Sequence, residues 1–245
     1  MPTKSEFLSP VPVSEWGAIV FALVFPTVLT WAYFIALADS DPWLQKGAYG
    51  IGKVIQFGFP LVFVLFARRE RLQFRGLDAN GLFVAVGFGL LVAGSMLALY
   101  YFWLKPAGFF DESVTGEVRA KLKGFGVNSL AAYAVLAMFY VLIHSLLEEY
   151  YWRWFVFGRL RNLLPLPTAI AVSSIGFAAH HVLVLAKYFG WDAPETWLFS
   201  AGVAVGGAVW ALVYQQSKSL LGPWLSHLFV DAAIFAIGWD LMTPA

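Results

Sequence analysis

The sequence has no cysteine and few charged residues. Without cysteine the chain cannot form disulfides, thiolate metal ligands or a cysteine nucleophile, and it cannot be S-acylated. Only 13% of the 245 residues are charged and the formal net charge is +1, which argues against a strongly basic surface and a nucleic-acid partner. So few charges could hardly cover the surface of a water-soluble protein of this length.

Apolar residues dominate instead, and they fall in long runs. The chain is 60% hydrophobic and 18% aromatic, and a run of about 20 apolar residues can cross a bilayer as a helix. Such runs lie at residues 16–38, 47–67, 82–104, 129–157, 168–186, 197–214 and 220–239. We therefore predict an all-α, polytopic integral membrane helical bundle of about seven (six to eight) transmembrane helices in contact with the lipid bilayer. No linker or repeat divides the sequence, so residues 1–245 are expected to form a single transmembrane domain.

The polar residues between the spans predict one short helix and an orientation. Residues 105–128 are polar and predict an interfacial loop with a short amphipathic helix. Cytoplasmic loops carry an excess of Lys and Arg. If the N-terminus is cytoplasmic, nine of the 16 Lys and Arg residues lie on that side: Lys4, Arg68, Arg69, Arg71, Arg75, Arg153, Arg159, Arg161 and Lys218. This small excess predicts a cytoplasmic N-terminus.

Ionisable residues within the predicted spans indicate a functional site. They are His144, Glu148 and Glu149 in the fourth span, His180 and His181 in the fifth, and His227 and Asp231 in the seventh. A charged side chain at the centre of a membrane helix costs about 2.5 to 3.5 kcal/mol, so such residues tend to face the bundle interior and to take part in chemistry or transport. Three separate spans carrying such groups favour a common site.

Helical spacing assigns different environments to the two adjacent glutamates. Arg153 follows Glu149 by four residues, so these side chains share a face and can form an ion pair. Glu148 is rotated by about 100° from Glu149, and His144 precedes it by four residues on its own face. One glutamate is thus expected to be neutralised. The other, Glu148, is left free to act as a general base.

Three short motifs occur in order on these spans and resemble those of a known family. "EEYYWR" (148–153) fits an EExxxR pattern, "FAAHH" (177–181) fits FxxxH, and "HLFVD" (227–231) fits HxxxN/D. The trio resembles the CAAX protease and bacteriocin-processing family, also called the Abi family, of glutamic-type intramembrane endopeptidases. The resemblance covers about residues 130 to 235 and places the catalytic part at about residues 129–239.

The resemblance implies a peptidase that needs neither a metal nor another cofactor. Glu148 would be the general base that activates a water molecule, and the pair of Glu149 and Arg153 would support it. His144 is a further supporting residue, because it can hydrogen-bond to Glu148. The substrate would be a membrane-anchored or lipidated protein or peptide, and the protein would reside in the plasma membrane of a prokaryote.

The resemblance also implies roles for the other two motifs. Phe177 would pack so as to place His181, which would position the water, whereas the neighbouring His180 would be structural or a second substrate contact. His227 and Asp231 would stabilise the oxyanion of the tetrahedral intermediate. An ionised Asp231 cannot donate a hydrogen bond to an oxyanion, so the donor model requires its protonated form.

Other interpretations of these residues remain open. The two glutamates and the arginine can be interfacial charges whose side chains reach water. A zinc-dependent membrane protease would recruit Glu148, His181 and His227, with His144 as a further ligand, although the HExxH spacing is absent. A transporter or proton relay, or a non-catalytic immunity or binding protein, would contain the same buried ionisable groups.

Overall fold

The computed structural model describes residues 13–72, 81–124 and 126–242. It is 86% helical, and the described residues contain no strand. The helices are α1 (Glu15–Ala36), α2 (Pro42–Ala67), α3 (Leu82–Leu104), α4 (Glu112–Gly124), α5 (Leu130–Leu163), α6 (Leu166–Phe189), α7 (Pro194–Ser217) and α8 (Leu221–Met242). All but α4 are long and apolar enough to cross a membrane. The predicted all-α membrane bundle is therefore confirmed.

The helix ends follow local capping rules that hydropathy alone does not show. α2 begins earlier than its apolar run because the Asp41 carboxylate accepts a hydrogen bond from the backbone N–H of Trp43, at 2.8 Å. α5 continues past residue 157 and ends at Leu163, two residues before Pro165. Pro165 is the N-cap residue of α6, and helices usually end before a proline. The amphipathic α4 lies within the polar stretch 105–128, as expected.

Close helix contacts depend on small residues. α6 packs along α7, and α8 packs along α3. A Cβ atom on Gly89 of α3 would lie 2.7 Å from the backbone oxygen of Ser226 in α8, so only glycine allows this approach. Such contacts hold membrane helices together because apolar burial provides little driving force between helices in lipid.

α5 departs from regular α-helical geometry on both sides of the EExxxR motif. It contains wide π-helical segments at Phe139–His144 and Tyr150–Phe157, which flank the regular turn Ser145–Glu149. A π-helical turn closes i→i+5 hydrogen bonds and is frequent at functional sites. The second segment carries Tyr151 and Trp152, both fully buried at 0% exposure. The motif glutamates thus lie on a segment anchored by aromatic packing.

A charge cluster ties three segments together at one end of the bundle. Arg159 of α5 contacts Glu70 in the segment after α2, with Nη1 and Oε1 separated by 3.0 Å. Arg159 also approaches Glu15 of α1 at 3.4 Å. Arg68 contacts the second oxygen of Glu15 at 3.2 Å. These ion pairs connect α1, the segment after α2, and α5.

The orientation of the bundle stays a prediction. Arg153 and Lys53 lie inside α5 and α2 rather than at the ends of the spans, so each side loses one flanking basic residue and the excess is unchanged. Lys4 and Arg75, which contribute to the excess, lie outside the described residues.

We predict that Glu70→Gln lowers the thermal stability at pH 7 by about 1 kcal/mol or less, the scale of a partly exposed ion pair. The hydrogen bond from Arg159 holds the pKa of Glu70 below its usual value. Its contribution is complete above the unfolded-state pKa of about 4.3 and is lost as the pH falls through the lower folded-state value. Thermal unfolding in detergent, followed from pH 7 downwards, should therefore show the difference between the two proteins narrowing as the pH falls. Glu117→Gln, which removes a more exposed ion pair with Lys187, is the control, and a difference that persists at acid pH would contradict the assignment.

Candidate active site

Helices α5, α6 and α8 bring ionisable side chains together inside the bundle. We refer to these residues as the polar cluster: His144, Glu148, Glu149, Arg153, His180, His181, His227 and Asp231. Glu148 is 5% exposed and Glu149 is 0% exposed. At this depth each charge requires a partner of opposite sign or a hydrogen bond. The cluster therefore has to neutralise itself.

Glu149 is shared by two partners. Its Oε2 atom lies 3.0 Å from Nε of Arg153, four residues later in α5. Its Oε1 atom accepts a hydrogen bond of 2.8 Å from Nδ1 of His227 in α8. The guanidinium of Arg153 lies over the rings of Phe177 and Trp210, at 4.7 and 5.0 Å from their centroids. The structure thus shows the expected pair, together with a link to α8 that sequence spacing could not indicate.

Glu148 is surrounded by imidazole rings without a close ion pair. Its Oε1 atom lies 3.7 Å from Nε2 of His180. Its Oε2 atom lies 3.7 Å from Nε2 of His227 and 3.9 Å from Nδ1 of His144. These separations exceed direct hydrogen-bond distance, and one water molecule can hydrogen-bond to both atoms of such a pair. The carboxylate therefore has no direct hydrogen bond to any of these three imidazoles.

The Nε2 atom of His227 faces two carboxyl groups. It lies 3.7 Å from Glu148 and 3.5 Å from Oδ1 of Asp231, one helical turn along α8. Because Nδ1 donates to Glu149, Nε2 is an acceptor in the neutral ring and a donor in the protonated ring. Trp210 stacks on the ring, with centroids 4.2 Å apart. The ring orientation is thus held by one hydrogen bond and one stacking contact.

The two histidines of α6 occupy different positions. His181, which the FxxxH pattern selects, donates from Nδ1 to the backbone oxygen of Phe177 at 3.0 Å, and its ring packs against that of Phe177. His181 also interacts electrostatically with Glu148. His180 stacks on Trp152 and places Nε2 within 3.7 Å of Glu148. The sequence predicted that His180 is structural or a second substrate contact. Its position next to His181 was the only sequence feature that pointed to the site.

A cation from α2 also lies near the cluster. Lys53 interacts electrostatically with Glu148, His144 and His180. Sequence reasoning counted this lysine only among the basic residues of the loops. Its proximity to Glu148 depends on how α2 packs against α5, which the sequence does not show.

The site geometry does not support the zinc hypothesis. Among the residues that the structure describes, no group of three or more His, Asp or Glu has the arrangement needed to hold a metal ion. The Nδ1 atoms of His181 and His227 are already engaged as donors, to a backbone oxygen and to Glu149. Their Nε2 atoms stay available, and a metal-ligating histidine commonly donates its other ring nitrogen in this way, so these two hydrogen bonds do not argue against a metal.

Comparison with known proteins relates part of the chain to a family. Residues 130–233 match the family model described as "Rce1-like: Type II CAAX prenyl endopeptidase Rce1-like". The matched range contains all three motifs and the whole polar cluster, and it confirms the resemblance inferred from those motifs. No curated protein and no solved structure matches the chain.

We predict that Glu149→Ala and Arg153→Ala each lower both stability and activity. Removing one partner of a buried ion pair leaves the other charge uncompensated, at a cost of about 3 to 5 kcal/mol, and the Glu149 variant also releases His227. Thermal unfolding in detergent measures the loss. Glu117→Ala, which breaks the exposed pair with Lys187, should change stability by about 1 kcal/mol or less. Fully stable but inactive Glu149 variants would instead place this carboxylate among the reacting groups.

Proposed function

We propose, from the match of residues 130–233 to the Rce1-like type II CAAX prenyl endopeptidase model, that this protein is an intramembrane endopeptidase. It hydrolyses a peptide bond near the membrane in a membrane-anchored or lipidated protein or peptide. The observation that carries the proposal is the buried carboxylate of Glu148, which lies 3.7 to 3.9 Å from the imidazoles of His144, His180 and His227, beyond direct hydrogen-bond distance. The protein is a single transmembrane domain whose catalytic part is residues 129–239. It resides in the plasma membrane of a prokaryote, and its N-terminus is cytoplasmic.

Glu148 is the general base in this proposal. Its carboxylate accepts a proton from a water molecule as the oxygen attacks the peptide carbonyl. His180 is near enough to orient that water, with Nε2 3.7 Å from the carboxylate. His181 has its Nδ1–H engaged with the backbone, so its Nε2 atom can accept a hydrogen bond and thus also orient the water. No metal is needed, because the carboxylate itself activates the nucleophile.

His227 and Asp231 form the oxyanion site. Attack on the carbonyl creates a negative oxygen that requires donors already aimed at it. The Glu149 hydrogen bond fixes the Nδ1 atom of His227, so a protonated ring offers its Nε2–H on the side that faces Glu148 and Asp231. A protonated Asp231 adds a second donor, as a neutral carboxylic acid does in other apolar sites. Glu149 and Arg153 position these groups without touching the substrate.

We predict that Glu148→Gln abolishes hydrolysis while expression and thermal stability remain close to those of the wild type. Glutamine keeps the shape of the side chain but cannot accept a proton from water. The measurement is mass-spectrometric detection of cleaved membrane-anchored or lipidated peptides by protein purified in detergent. Wild-type activity should persist after exhaustive chelation with zinc near zero. Substantial turnover by Glu148→Gln would refute the assignment, and ion-dependent flux in proteoliposomes without peptide hydrolysis would support a transporter instead.

We predict that Asp231→Asn remains active, because the amide can donate the hydrogen bond that the proposal assigns to Asp231. A carboxyl group donates a hydrogen bond only while protonated, whereas an amide donates at every pH. Asp231→Leu, which removes the donor, should lose about two to four kcal/mol of transition-state stabilisation. The measurement is kcat/KM against pH for the folded variants. If Asp231→Asn is as inactive as Asp231→Leu, the negative charge itself is needed and Asp231 orients His227.

A further inference from the structure

A cavity lies between α2, α5 and α7 at the end of the bundle where these three helices end. Its volume is about 530 Å³, within the range of about 300 to 1,000 Å³ that is usual for pockets that hold small molecules. Val64 of α2, Asn162 of α5 and Tyr214 of α7 line it, and each lies within three residues of the last residue of its helix. At 1.5 Å per residue these side chains are within about 5 Å of the ends of the spans. This end of the cavity is therefore at the level of the lipid headgroups.

Gly158 of α5 leaves part of this space open although helix packing does not require a glycine there. It also lines the cavity. Beyond its own helical turn, a Cβ atom on Gly158 would meet only the backbone oxygen of Arg153, at the ordinary contact distance of 3.6 Å. Its φ of −58° is helical, and glycine destabilises a helix relative to alanine. The missing side chain thus keeps the cavity open at a cost to the helix.

The charged residues of the cavity wall give it one excess positive charge. They are Glu70, Arg71 and Arg159, that is, one negative and two positive side chains. Arg159 holds Glu70, with Nη1 and Oε1 3.0 Å apart, so these two charges cancel. Glu15, which also approaches Arg159, is matched by Arg68 at 3.2 Å. Arg71 is exposed, and its planar guanidinium matches the geometry of phosphate oxygens. The cavity therefore favours an anion of single charge.

We propose that this cavity binds the phosphate group of an anionic membrane phospholipid. A phosphodiester carries one negative charge, which matches the excess positive charge of the wall. Trp154 and Tyr214 also line the cavity, and such aromatic residues are enriched at the level of lipid headgroups. Basic pockets between membrane helices are typical sites for acidic headgroups. Phe66, two residues after Val64, is 74% exposed and offers an apolar surface to an acyl chain, from which a free phosphate ion would gain nothing.

Thermal unfolding of the delipidated protein in detergent measures the binding, because a ligand of the folded state raises the unfolding temperature with its concentration. Dioleoylphosphatidylglycerol should raise this temperature until the site is saturated. Zwitterionic dioleoylphosphatidylcholine and inorganic phosphate should have little effect at the same concentration. Arg71→Gln should weaken the apparent affinity for dioleoylphosphatidylglycerol about 10-fold or more, the scale of a hydrogen bond to a charged group. Arg69→Gln is the matched control, because it removes the same charge two residues earlier without changing the cavity wall.

Gly158→Leu tests the site without changing its charge. The leucine side chain fills the cavity, and leucine favours a helix more than glycine does, so this variant should fold and should lose the response to dioleoylphosphatidylglycerol. Gly94→Leu in α3 is the control. A Cβ atom on Gly94 meets nothing within 4 Å, and this glycine does not line the cavity, so the response should be that of the wild type.

The contrary results are distinct, and none depends on peptidase activity. If dioleoylphosphatidylcholine stabilises the wild type as much as dioleoylphosphatidylglycerol does, no site selects an anionic headgroup, whatever the folding of the variants. If inorganic phosphate alone gives the same shift, the ligand is a free phosphate ion and the assignment to a lipid is wrong. If Gly158→Leu responds as strongly as Gly94→Leu, the lipid binds outside this cavity. Failure of the proposed function would leave all three comparisons valid.

Discussion

The buried carboxylate of Glu149 is the group on which the rest of the site depends. It is fully buried within the helix bundle, where an unpaired charge is costly. Arg153 neutralises it from the same helix, and His227 binds it from α8 at 2.8 Å. This second contact joins α5 to α8 and determines which nitrogen of His227 faces Glu148. The two adjacent glutamates thus differ because one has strong partners and the other does not.

Aromatic packing makes this arrangement possible. The Arg153 guanidinium lies over the rings of Phe177 and Trp210, and a Cβ atom on Gly207 of α7 would lie 3.5 Å from Nη2 of Arg153 and 3.3 Å from the Phe177 ring. A side chain there would press on the Phe177 ring and come into contact with the cation. With water kept away, the interaction between the two charges is stronger than at a protein surface. The apolar residues around Arg153 and Glu149 therefore strengthen the attraction between the two charges.

Contacts within one helix could be predicted, whereas contacts between helices could not. The pairs of Glu149 with Arg153, His144 with Glu148, and His227 with Asp231 all follow from a spacing of four residues, and the structure brings each pair together at 3.0, 3.9 and 3.5 Å. Spacing alone does not relate α6 to α5. It therefore could not show that His180 also approaches Glu148.

The sequence by itself determined an all-helical membrane bundle, because its apolar runs match the thickness of a bilayer, and it determined which helices carry ionisable groups. Only the tertiary structure decided how those groups meet: His227 donates to Glu149, His180 lies beside Glu148, and Lys53 of α2 is near enough to interact electrostatically with Glu148. The reason is that the rotation of each helix about its axis is set by side chains distant in sequence. In α5 the π-helical segments also change the number of residues per turn on both sides of the two glutamates, so the face that each residue presents depends on the folded chain.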